Sequence, residues 1–128
     1  MEAPSYPHRL VTGEILDAAY EVHRVLGPGL LESAYSACLQ HELEVRQVPF
    51  EREFPVSLTY KGLEIPMAYR ADFLVRGTVV VEVKSVDSLQ PVHTAQVLTY
   101  IRLAEVRLGL LINFNTYMLK HGIKRLIR

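Results

Sequence analysis

Between Arg70 and Ser85 the chain reads Arg-Ala-Asp-Phe-Leu-Val-Arg-Gly-Thr-Val-Val-Val-Glu-Val-Lys-Ser, and three of its charges, Asp72, Glu82 and Lys84, fall where a core strand should carry none. The β-branched run from Thr78 predicts a strand whose period of two puts Val80, Glu82 and Lys84 on one face and Val79, Val81 and Val83 towards a core. An ionised group on so apolar a strand is costly unless it is paired, solvated in a cleft or bound to a metal. A cleft is the natural inference. Asp72 belongs to a preceding strand, Tyr69 to Val75, joined by a tight antiparallel turn. A two-residue loop Arg76-Gly77 would set Asp72 opposite Val81, facing away from Glu82. A three-residue loop Val75-Arg76-Gly77, with Gly77 in its left-handed third position, sets Asp72 opposite Val80 instead. Two carboxylates and an ammonium then converge on one face.

Other elements must position that trio. Ile15, Ala18 or Ala19, Val22 and Val25 or Leu26 repeat at helical spacing, with Thr12 as N-cap and Gly27-Pro28-Gly29 as the stop. A second helix resumes at Leu30 and runs to about Val45, with a stripe of Leu31, Ala34 or Tyr35, Cys38 or Leu39, and Leu43. Glu32 and Tyr35 lie one turn apart on it. After Pro49 the period becomes two: Phe50 to Tyr60 reads as a strand, Lys61-Gly62 as a turn, and Leu63 to Met67 as a return strand. Pro55 and Pro66 push this pair towards a sheet edge. Pro91 to Leu103 reads as a helix carrying Gln96 and Tyr100 on one face. Leu108 to Phe114 is a buried strand, parallel to the Thr78 strand because a crossover helix joins them, and Lys124 to Arg128 forms a short last strand. The fold class is an α/β (α+β) sandwich around one mixed sheet.

The totals bound the possibilities. The chain has 128 residues, 49% of them hydrophobic, which suits one domain over residues 1–128 with a loose start at residues 1–9. One cysteine, Cys38, excludes an internal disulfide framework and a cysteine-built zinc or iron–sulfur site. With neither a membrane-length apolar run nor the features of a signal peptide, the expected location is cytoplasmic. The net charge of zero requires any nucleic-acid partner to be held by a local basic patch.

Asp72 followed by Glu82-Val83-Lys84 across one hairpin resembles the PD-(D/E)xK nuclease motif, and Gln96 with Tyr100 resembles the Q-x-x-x-Y helix of its RecB-type branch. Gly29-Leu30-Leu31-Glu32-Ser33-Ala34-Tyr35 is similar to the signature of the small bacterial GxxExxY proteins. The likeness runs from about Leu10 to Arg128 and includes Val-Glu-Val-Lys-Ser and Leu111-Ile112-Asn113-Phe114. Ala71 replaces the motif's proline, and the four cysteines of some RecB-type nucleases are absent.

The resemblance implies a restriction-endonuclease-like sheet and a metal-dependent nuclease, with DNA favoured over RNA as substrate. Asp72 and Glu82 would hold Mg²⁺ or Mn²⁺, hard cations that prefer oxygen ligands, with the Val83 carbonyl and Glu32 as further ligands. Lys84 would orient or deprotonate the attacking water, and Gln96 and Tyr100 would position phosphate or the strand. Each residue also has a plainer reading. Asp72 could pair with Arg70 or Arg76, Glu32 could complement a helix dipole, and Tyr35 and Tyr100 could be packing residues with hydroxyls turned to the cleft. His93 reads as a surface or capping histidine, while Lys120, Lys124, Arg125 and Arg128 fit a solvated rim as well as a phosphate patch. The alternative function is a non-catalytic module of this fold that binds nucleic acid or a protein partner, and a homodimer would pool two modest surfaces.

Overall fold

A computed structural model describes residues 8–128. Helices α1 (His8–Leu26) and α2 (Glu32–Val45) are followed by strands β1 (Phe50–Tyr60), β2 (Leu63–Val75) and β3 (Val79–Lys84), helix α3 (Pro91–Leu103), and strands β4 (Leu108–Asn113) and β5 (Ile123–Ile127). The sheet runs β1-β2-β3-β4-β5. Only β3 and β4 are parallel, and α3 makes the crossover between them. This is the expected sandwich. Strands β3 and β4 are buried from end to end except at Lys84, which fits their unbroken apolar reading.

Both faces of the sheet are covered at β3 and β4, while the outer part of the β1–β2 hairpin is exposed. Val79, Val81, Val83, Leu110 and Ile112 pack under α1 and α2 with Ile15, Ala18, Tyr35 and Leu39. Val80 and Leu111 pack under α3 with Val97, Tyr100 and Ile101. Gly109 is fixed by that second contact, because a Cβ there would meet Val97 Cγ1 at 2.6 Å.

Several boundaries differ from the sequence reading. Residues 1–7 lie outside the described residues, while His8 and Arg9 are already helical rather than loose. Thr12 is therefore inside α1 and caps nothing: its hydroxyl turns back to the Arg9 carbonyl at 3.0 Å. Leu31 is 75% exposed and stands at the N-cap of α2, outside the buried stripe of Tyr35, Ser36, Leu39 and Leu43. The two strands expected between Leu63 and Val75 are one strand, β2, bent where Met67 takes φ 52°.

The turn before β3 also differs. Val75 pairs with Val79, and Arg76 and Gly77 both take left-handed φ, 51° and 66°. The three-residue loop is thus Arg76-Gly77-Thr78, with Thr78 N–H donating to the Val75 carbonyl at 3.0 Å. Two consecutive left-handed residues form the mirror-image turn that matches strand twist, and Thr78 becomes the extra residue. The expected pairing of Asp72 with Val80 gives way to a register that carries Asp72 level with Glu82, since the last paired residues are Phe73 and Val81.

Candidate active site

The β2–β3 ladder stops where the two carboxylates begin. Beyond Phe73–Val81, main-chain pairing is replaced by side chains: Asp72 N–H donates to Glu82 Oε1 and Val83 N–H to Asp72 Oδ2, each at 2.8 Å. The two buried amides are satisfied across the widening gap, and each carboxylate keeps one oxygen for something else.

The same level marks a roll in the outer hairpin. Phe50 packs on the α1/α2 side and Phe54 on the α3 side; Phe73 and Ala71 make the same exchange on β2. The β1–β2 ladder skips Glu53 and Asp72, and Glu53 takes φ 52°. A strict period of two does not cross this point, so Asp72 reaches into the opening between strands instead of standing on a regular face.

Burial makes the pair electrostatically expensive. Glu82 is 3% exposed, and burial followed by the Asp72 charge pushes its carboxyl up to about 8. Burial also raises Asp72, against the pull of the Val83 amide and of Arg52 and Lys84. The carboxyl groups are within hydrogen-bonding reach of one another, so without a cation they retain a proton between them near neutrality.

Lys84 follows two residues after Glu82, its side chain 15% exposed and its Nζ 3.9 Å from Glu32 Oε1. Glu32 is thereby brought to the lysine rather than into direct contact with Asp72 or Glu82, although its charge still acts on Glu82. What holds it there is a set of ties around the α1–α2 connection. Gly29 takes φ 103°, a conformation side chains rarely adopt, and its N–H reaches Asn115 Oδ1 at 3.1 Å. Ser85 Oγ donates to the Leu30 carbonyl at 2.6 Å. Tyr35 donates to the Gly27 carbonyl at 2.5 Å, accepts from Leu30 N–H and stacks on Phe114 with centroids 4.7 Å apart. Its hydroxyl thus secures this connection and does not face the cleft. Buried Asn113 holds the chain just past Lys84, accepting from Val86 N–H and donating to the Val86 carbonyl.

Helix α3 supplies the other wall. Gln96 Nε2 donates to the Tyr100 hydroxyl at 2.9 Å, and both line a cleft of about 480 Å³ with Lys84, Tyr69, His93 and Thr99. Burial and then the Glu82 charge raise the Tyr100 phenol. His93 is a capping residue, accepting from Gln90 N–H at 2.9 Å. Arg70 pairs with Glu53 at 3.9 Å and Arg76 with Glu14 at 2.8 Å.

The cation acting on Asp72 from β1 is Arg52, which sequence reading missed. Its Nη1 donates to the Asp72 carbonyl at 3.0 Å and its guanidinium lies 4.7 Å from the Phe73 ring centroid. The signal was present: Arg52 interrupts the alternation Phe50, Arg52, Phe54 as Glu82 interrupts the valines. Tyr69 was missed too, and its ring sits 5.9 Å from that of Tyr100.

The donor chemistry suits a hard divalent cation. Asp72 and Glu82 offer two adjacent carboxylates whose raised proton affinity is what a cation would relieve. The Val83 carbonyl adds a third oxygen on the same side. Lys84's carbonyl accepts from Phe114 N–H at 2.9 Å on the β4 side, and carbonyls alternate along a strand, so that of Val83 is directed to the opening beside β2. Among the described residues there is no group of three or more His, Cys, Asp and Glu side chains poised to hold a metal, so a cation here would rest on two carboxylates, a main-chain oxygen and water.

Comparison with protein families gives a match over residues 9–126 to a family model described as the PD-(D/E)XK nuclease superfamily. Neither the curated proteins nor the solved structures give a significant match.

Proposed function

The chain belongs to the PD-(D/E)XK nuclease superfamily, and from that premise we propose that it is a divalent-metal-dependent nuclease acting on DNA, a GxxExxY protein of the RecB-type branch working as one domain. The observation that carries this reading is the opening of the sheet at Asp72 and Glu82, with Lys84 two residues on. The family's members generally use divalent metal ions, and a nucleic-acid substrate follows from the family.

Asp72, Glu82 and the Val83 carbonyl would hold Mg²⁺ or Mn²⁺. Such a cation supplies neutralisation of phosphate charge and a more acidic water. The chain's own residues do the rest. Asp72 and Glu82 hold a proton between them that a bound cation would displace to solvent. Lys84, kept in place by Glu32, presents its ammonium to the attacking water and to negative charge developing on the phosphate. Glu32 serves as the tether of Lys84, and its carboxylate would accept from water held by the cation. The Gln96–Tyr100 pair aims an amide and a phenol into the cleft, where they position a phosphate. Arg52 fixes the main chain of Asp72, so that its carboxylate is presented in one orientation.

The test is cleavage of linear, circular, single-stranded and branched DNA, and of RNA, in Mg²⁺ or Mn²⁺ and in EDTA. Activity should require the metal and fall by at least ~10²–10³ in Asp72→Ala, Glu82→Ala and Lys84→Ala. Cleavage that persists in EDTA or in Lys84→Ala refutes the mechanism, and binding without cleavage under every condition returns the chain to a non-catalytic module.

A further inference from the structure

The zero net charge conceals a segregation. Residues 1–105 carry fourteen acids against nine Lys and Arg, whereas residues 106–128 carry Arg107, Lys120, Lys124, Arg125 and Arg128 and no acid. Lys124 and Arg125 stand on β5, a free edge of the sheet, with Lys120 in the turn before it, Arg128 just after it and Arg107 joined to Arg128 through the main chain. The strand runs from Ile123 beside Ile112 to Ile127 beside Leu108, so it spans the sheet from the site end to the opposite end. At the site end Lys124 Nζ lies 3.5 Å from Thr94 Oγ1 of α3, next in sequence to the cleft residue His93. At the far end Arg9, Arg107 and Arg125 line a hollow of about 190 Å³ with His8 and Thr12.

Ion pairing follows the same division, although Lys124, Arg125 and Arg128 are each held by a neutral oxygen and, among the described residues, Arg9, Arg52, Lys61 and Arg102 also lack an acid partner. Arg24, Arg46, Arg70, Arg76 and Lys84 each pair with an acid, and all lie before residue 106; among the described residues none of the five later cations makes an ion pair. A lysine on an edge strand to deter strand addition would account for Lys124 alone. It would not bring arginines from α1, the turn before β4, and β5 to one hollow, where planar guanidinium groups suit phosphate.

We infer that the β5 edge is a track for the phosphodiester backbone of a nucleic acid, leading from the cleft rim at Lys124 to the hollow of Arg9, Arg107 and Arg125. From Lys124 on the α3 face to Ile127 at the hollow beside α1 is three residues at ~3.3 Å each, roughly three nucleotide steps at ~3.4 Å, so the backbone would cross the free edge of the strand on its way. The inference rests on the nuclease reading only for what happens at the cleft end.

The variant to make is Arg107→Gln/Lys120→Gln/Lys124→Gln, at three exposed positions, which leaves Arg125 on its Thr12 contact. Binding to short fluorescent duplex DNA and single-stranded RNA is read in EDTA across ~50–200 mM KCl. The slope of log K against log salt should become shallower by about 2–3 for duplex and about 2 for single strand. The charge-preserving Arg107→Lys/Lys120→Arg/Lys124→Arg should keep the wild-type slope, and cleavage by the glutamine variant should show a raised KM with kcat unchanged. An unchanged slope, or an equal loss in both variants, overturns the track. An inactive wild type with the expected slope change keeps the track and rejects the nuclease, while an active enzyme whose slope ignores the substitutions does the reverse.

Discussion

Replacing Glu82 by Gln should stabilise the metal-free protein, by an amount that grows with pH. The side chain is 3% exposed and its carboxyl is pushed from 4.5 up to about 8, first by burial and then by Asp72. A carboxyl raised in this way binds its proton more tightly when folded than when unfolded. Stability is therefore intact below about 4.5, is lost as pH rises from there, and reaches its full deficit only above about 8. That interval is equivalent to roughly 5 kcal/mol at ~1.4 kcal/mol per decade of proton affinity. Asp72 rises alongside and shares the burden, so removing one member should recover about 2–4 kcal/mol at pH 9 and almost nothing at pH 5. Gln keeps an oxygen for the Asp72 N–H, so the tie across the opening survives. Urea unfolding in EDTA at pH 5, 7 and 9 measures the difference, and in thermal melts it should approach ~10 °C at the alkaline end. Adding Mn²⁺ at tenfold over its dissociation constant should return about 1.4 kcal/mol to wild type and nothing to the variant. A difference independent of pH, or a variant less stable at pH 9, would mean that Lys84 already compensates Glu82 and that no electrostatic cost is held there for a cation.

Two further substitutions probe the supports. Tyr35→Phe removes the hydroxyl that joins Gly27 and Leu30 and should cost about 1–3 kcal/mol in urea unfolding; cleavage should fall further than stability explains, because Glu32 loses its fixed approach to Lys84. Arg52→Met keeps much of the packing on Phe73 but removes the cation acting on Asp72. Asp72 should then hold its proton to higher pH, so the acid limb of the cleavage profile should move to higher pH, and an unmoved limb would exclude this role for Arg52.

The elements were legible in the sequence because the local signals agree. The periods of Phe50–Tyr60 and Pro91–Leu103 fix those boundaries to the residue, and the crossover helix implied the parallel β3–β4 pair. What was not legible came from non-local geometry. A β-branched residue such as Thr78 suits either a strand start or a bulge, so the Val run carried no information on the phase of the hairpin. The left-handed φ of Glu53 and Arg76 has no glycine to announce it. The face exchange at Asp72 was hidden for that reason, and Arg52 with it. Helical spacing and the Gly29-to-Tyr35 signature both mark Tyr35, but neither reveals that its hydroxyl turns back to the preceding loop instead of to the cleft. The charge total hid the β5 cations because a sum carries no position.

The opening between β2 and β3 also bears on how sequences of this fold can drift. Asp72 does two jobs with two oxygens: one holds the Val83 amide, and the other is left for a cation. An amide side chain keeps the first job and forfeits the second, whereas an aliphatic one loses both and leaves a buried N–H without a partner. Relatives that abandon catalysis are therefore expected to pass through Asn and Gln at these positions and to avoid Ala and Val. An Asn aligned with Asp72 would mark a retired enzyme that still folds on the same stitch.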